Sequence, residues 1–140
     1  MAHPDLEVLL NALLPFAEDM LAKHGEFYPY GATLGTDGEV SQIAGHTGDD
    51  RPLSQPLIEL MMQGCRQQAA AGAIKAAGIC CDIRTIPPGQ KDKTDAICVS
   101  LEHQSGEAVD VILPYKKGWF GKMTYGDLFA VKRQRTIFPS

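Results

Sequence analysis

The stretch Thr94–Tyr115, TDAICVSLEHQSGEAVDVILPY, decides the fold. With Gln104-Ser105-Gly106 as a three-residue loop and Gly106 in the left-handed position, Leu101 stands opposite Val109, Val99 opposite Val111 and Ile97 opposite Leu113. One register therefore gathers the large apolar residues on a single face. The opposite face carries Cys98, Ser100, Glu102, Ala108, Asp110 and Ile112. Such a hairpin is expected to rest one face on a core and turn the other mostly toward water.

Upstream, Leu6, Leu9, Leu10, Leu13, Phe16, Ala17, Met20 and Leu21 recur at three- and four-residue spacing between Asp5 and Lys23, which predicts an amphipathic helix. Pro15 removes a donor inside it and predicts a kink or a restart. Lys23, His24 and Gly25 form a helix end, with cations in the last turn and glycine available for the cap. Residues 27–34 and 39–44 read as strands joined by Gly35-Thr36-Asp37-Gly38, and Pro29 marks an edge or a strand start. Ser54 opens a second helix whose apolar side is Leu57, Ile58, Leu60, Met61, Cys65 and Ala69. Ala77, Ile79, Cys81 and Ile83 alternate as a half-buried strand, and 128–138 reads as a final strand.

The element order is thus α-β-β-α-β-β-β-β. With few parallel crossovers available, the expected fold is a single α+β domain over 1–140, a mainly antiparallel sheet of five to six strands with two helices packed on one face. A chain of 140 residues is long enough to bury a core without a metal or disulfide staple. Its net charge of -4 argues against a nucleic-acid partner, whose phosphates select basic faces. Cys65, Cys80, Cys81 and Cys98 form no C-x-x-C pair and read as buried reduced thiols. Cys80 and Cys81 point to opposite faces, so at most one shares a face with Cys98. Met1 leads straight into polar His3-Pro4-Asp5, with no leader-like or membrane-length apolar run, which predicts a cytoplasmic chain with no membrane partner.

The segment Gly25–Ala32, GEFYPYGA, together with Asp95-Ala96-Ile97 and Leu113-Pro114-Tyr115, resembles a family of small bacterial single-domain α+β proteins of this length. The resemblance implies a bacterial origin and supplies no catalytic residues. The element order is also loosely similar to profilin-like and roadblock modules, an analogy of fold that carries no function.

The best candidate for a binding patch is the loop containing Lys116, Lys117, Trp119, Phe120, Lys122 and Tyr125. Lysines attract anions, aromatic rings give contact area at low entropic cost, and Gly118 and Gly121 let the backbone approach a partner. Packing of the aromatics against the bottom of the core is the competing account. A second candidate is a cleft near Glu26, Tyr28 and His46. His103 and Glu107 should face each other beside the hairpin turn as a solvated cross-strand pair. His46-Thr47-Gly48-Asp49-Asp50 departs from the calcium-loop pattern and reads as a loop entering the second helix.

No phosphate loop, nucleophile elbow or zinc-protease helix is present in the sequence. Catalytic residues, metals and cofactors are therefore not expected. The leading expectation is a noncatalytic protein-interaction module with an unidentified protein partner. Self-association as a homodimer is a further expectation, through a sheet edge or outer apolar positions such as Ile112. The alternative is a small-molecule-binding protein or hydrolase using the Glu26, Tyr28 and His46 cleft.

Overall fold

A computed structural model describes residues 3–44 and 54–139. Helix α1 (Pro4–His24) leads into β1 (Tyr30–Gly35) and β2 (Val40–Ile43). Helix α2 (Ser54–Ala70) is followed by β3 (Ile74–Thr85), β4 (Thr94–His103), β5 (Ala108–Lys117), β6 (Met123–Tyr125) and β7 (Phe129–Lys132). The fold is α+β, and every strand pairing is antiparallel. The sheet runs β2-β1-β3-β4-β5, with β6 and β7 sharing the outer edge of β5. It has one strand more than expected, because the lysine-aromatic loop itself contains β6.

The β4–β5 register is the one the sequence requires. Ile97 pairs with Leu113, Val99 with Val111 and Leu101 with Val109. Gly106 takes φ 108° at the turn, and its N–H donates to the His103 carbonyl at 2.9 Å. The β1–β2 turn repeats this design, with Gly38 at φ 87° and its N–H on the Gly35 carbonyl at 2.9 Å.

Helix α1 lays Leu6, Leu9, Leu13, Ala17 and Leu21 on the face made by Ala76, Cys80, Ile97, Val99, Leu101 and Val111. Each of the helix residues is at most 1% exposed, and full burial of a leucine is worth about 1.5–3 kcal/mol. Gly78 permits this approach, since a Cβ there would lie 2.8 Å from Leu13 and 2.9 Å from Leu101. The helix continues through Pro15 and ends where Gly25, at φ 72°, donates to the Leu21 carbonyl. Phe16 departs from the expected stripe. It is 45% exposed and meets Tyr30 edge-on at 5.0 Å.

The two helices lie on opposite faces of the sheet rather than on one. Helix α2 packs Leu57 and Met61 on Ile79, and Cys65 on Ala77 and Ile74, which is the side α1 does not touch. The reason is that the central residues of β3, 76–81, are apolar or small on both faces, so their alternation does not mark one side as outer. Cys80 and Cys81 point to opposite faces, as expected, but it is Cys80, with Ala76, that lies in the α1 core, while Cys81 stands opposite Cys98 on the other face.

The face expected to meet water is covered as well. Ala96, Cys98 and Ile112 pack with Phe129, so Ile112 is not available for self-association. Among the described residues, strand β2 is paired along one side only and is an edge of the sheet. The chain leaves β7 after Lys132, and the expected long final strand is cut short. Its next residues turn onto Glu102, whose fully buried carboxylate accepts the N–H groups of Thr136 at 2.8 Å, Ile137 at 2.9 Å and Phe138 at 2.6 Å. Arg66 of α2 donates to the Thr136 carbonyl at 2.7 Å. Ile137 and Phe138 then pack with Cys65, Ile74 and Ala77. The three N–H donors satisfy the buried carboxylate, which thereby fixes the tail by its backbone.

Replacing Glu102 with alanine leaves three donors without an acceptor. The expected cost is about 3 kcal/mol, bounded because the tail can detach and hydrate. Denaturant unfolding should show this loss, with hydrogen exchange at residues 136–138 accelerated. Unchanged stability and protection would contradict the role given to Glu102.

Candidate functional site

The β5–β6 hairpin carries the candidate binding residues outward from a fixed base. Tyr115 is buried at that base. Its hydroxyl donates to both oxygens of Asp82, at 2.8 and 3.0 Å, and its carbonyl accepts the Thr94 hydroxyl at 3.2 Å. Burial raises the pKa of both Tyr115 and Asp82. Tyr125 pairs with Tyr115 and is partly buried on the α1 core. It therefore anchors the hairpin rather than forming part of its exposed surface.

Beyond this base only two more residue pairs hold the hairpin, Lys116 with Thr124 and Lys117 with Met123. Gly118 N–H closes the turn on the Lys122 carbonyl at 2.7 Å. Strand alternation sends Lys116 and Lys117 to opposite faces. Lys117 lies back toward Gly25 and attracts the Asp82 carboxylate. At the tip, Phe120 adopts φ 61° and Gly121 φ 75°. A left-handed conformation is free for glycine and costs a bulky L-residue on the order of 1 kcal/mol or more.

The tip aromatics do not fold back on the core. Trp119 is 89% exposed and Phe120 105% exposed. Large aromatic side chains each present roughly 150–250 Å² when buried, and here nearly all of that area faces water. The account in which these rings close the core is thereby excluded.

The second candidate is not assembled in this way. Glu26 and Tyr28 are exposed, and His46, with Asp49, Asp50 and Arg51, lies outside the described residues. Of the cavities described, none is lined by Glu26 or Tyr28. The largest, about 500 Å³, is lined by β5 and β7, among them Val109, Val111, Ala130 and Lys132.

A cluster the sequence did not disclose forms where α1 begins. His103 is buried, and its carboxylate partner is Asp5 rather than Glu107, with Nε2 2.8 Å from the Asp5 carboxylate. Glu107 instead accepts the backbone N–H of His3 at 2.6 Å. The His3 and His103 rings stack at 3.9 Å, and Lys75 lies 3.6 Å from Asp5. Among the described residues, His3, Asp5 and His103 bring potential ligand atoms within 4.8 Å of one another.

The hydrogen bonds make this cluster a structural staple. Nδ1 of His103 accepts the Ser105 N–H at 3.0 Å, so the ring proton sits on Nε2 and points at Asp5. That nitrogen has no lone pair free for a metal in this state. Ser105 Oγ lies 2.9 Å from Nδ1, which sets Ser, His and Asp in contact. The Nδ1 lone pair is already shared with the serine's own N–H, and this weakens it as a base for the hydroxyl. Contact between residues 5 and 103 could not be read from a sequence pattern. The nearest signal was His103 two residues before Ser105 at a tight turn.

Compared with protein-family models, curated proteins and solved structures, the chain matches none.

Two outcomes follow from this geometry. The His103 hydrogen bond, opposed by desolvation and aided by Lys75 and His3, lowers the pKa of Asp5. A lowered carboxylate pKa gives stability that is present above the unfolded value, about 3.9, and is lost as pH falls through the folded one. Unfolding free energies of the wild-type chain and Asp5→Asn should therefore converge below about pH 4; a pH-independent difference would contradict the staple. At the tip, Phe120→Gly should stabilise the fold by about 0.5–1 kcal/mol by relieving the left-handed backbone, and a loss of stability on thermal melting would contradict the strain.

Proposed function

We propose that this chain is a noncatalytic interaction module that docks through the tip of its β5–β6 hairpin. The observation that supports this most directly is the near-complete exposure of two adjacent aromatic side chains, Trp119 and Phe120, on a hairpin whose base is locked by Tyr115 and Asp82. Exposing such rings lowers solubility and brings the fold no packing in return, and Phe120 adds a strained backbone. Large exposed apolar features on soluble domains mark sites of association. Lys116 and Lys122 bracket the rings in the chain and give the contact an anionic preference. Such a tip docks on a partner protein or on a membrane surface, and both begin with the same two rings leaving water.

The expected result separates docking from folding. Trp119→Ala should change unfolding stability by no more than about 0.5 kcal/mol, because the ring packs on little. The same substitution should weaken recovery of the docked partner from native extract by about thirtyfold, the loss typical of an aromatic anchor worth about 2 kcal/mol. Lys117→Glu should weaken it less. Undiminished recovery with both variants would contradict the proposal.

A further inference from the structure

We infer that the surface this tip docks on is an anionic lipid bilayer, which replaces the sequence expectation of no membrane partner. The inference rests on the docking role proposed above and adds the chemistry of what is docked.

The first argument is area. Two aromatic side chains offer roughly 300–500 Å² at about 150–250 Å² each. A stable protein interface takes about 800 Å² from each partner and surrounds its anchors with a ring of contacts that excludes water. Beyond the buried Tyr115 the hairpin is two residue pairs long, and among the described residues none packs around the exposed rings at its end. A bilayer needs none, because headgroups and acyl chains close around whatever enters them.

The second argument is charge. Residues 116–125 contain three lysines and no acidic residue, in a chain with 13 basic and 17 acidic side chains. Lys116 precedes the rings and Lys122 follows them, while Lys117 lies back toward Gly25 and Asp82. Each lysine near an anionic surface raises partitioning about fivefold, or roughly twenty-fivefold for Lys116 and Lys122 together. The remainder of the chain is net acidic and is repelled, which orients the molecule tip-first.

The third argument is residue type. Tryptophan settles at the headgroup level, where its ring is apolar and its N–H is wet. Phenylalanine seats deeper, and lysine stems extend along the boundary while their charged ends reach the headgroups. The left-handed Phe120 and Gly121 present the Phe120 ring at the extremity of the turn. This is docking on a surface and not spanning: among the described residues no helix is long and apolar enough to cross a membrane.

Trp119 is the single tryptophan of the chain, so the unmodified protein reports on its own tip. The full chain is mixed at low salt with phosphatidylcholine vesicles that contain or lack phosphatidylserine. With phosphatidylserine, Trp119 emission should shift to the blue, brominated acyl chains should quench it, and the chain should float with the vesicles. Partitioning should fall about tenfold or more for Phe120→Ala, for Lys116→Glu combined with Lys122→Glu, and on raising the salt. An unshifted emission with no flotation overturns the inference, as does equal binding to vesicles lacking phosphatidylserine. A photocrosslinker at position 120 then separates the two levels. Tip-dependent crosslinking to a protein, without vesicle binding, leaves the docking role standing and removes the lipid. Neither crosslinking nor vesicle binding removes both.

Discussion

The register of β4 against β5 is the constraint from which the rest of the molecule is built. Strand side chains alternate with a period of two, so a slip of β5 by one residue would place Asp110 and Ile112 beneath α1 in place of Val109 and Val111. Gly106 sets the turn that prevents the slip. On this floor α1 finds a continuous apolar surface across β1, β3 and β4, deepened at Gly78 where no side chain intervenes. The same register carries β5 past the core and delivers Lys116 through Lys122 into open water.

Polar groups then fix the pieces that the hydrophobic floor cannot orient. Glu102 holds the C-terminal tail by three backbone donors, Asp5 and His103 tie the start of α1 to the β4–β5 turn, and Tyr115 on Asp82 locks the base of the outer hairpin. Each is a buried or half-buried partnership, where an unmade bond is costly and a made one specifies a single arrangement. Burial also raises the Cys80 thiol to about 12 and the Cys65 thiol to about 11. Both are therefore protonated, unreactive packing groups.

What the sequence could disclose followed from periodicity. The α1 stripe and the hairpin register were legible because helical and strand spacings are rigid and because glycine marks the turns. The side chosen by α2 was not legible, since the central part of β3, residues 76–81, is apolar or small on both faces and either could receive a helix. The capture of the tail by Glu102 leaves no pattern, because any residue supplies a backbone N–H. Contact of Asp5 with His103 depends on bringing together positions far apart in the chain. For Trp119 and Phe120 the composition named the residues and left their exposure open, because an aromatic pair in a short loop can pack on the core or face water with the same residues.

The functional account places rigidity and function at opposite ends of one hairpin, with the Tyr115 end packed and the Trp119 end bare. Its central claim is that the aromatic tip stands in water when the chain is alone, with its rings held ready for a partner. Fluorescence of Trp119 in the free, folded protein tests this most directly. The account predicts emission close to that of free tryptophan in water and quenching by acrylamide at nearly the rate of an unfolded chain. Blue-shifted emission shielded from acrylamide would show the tip packed against the fold, and would contradict it.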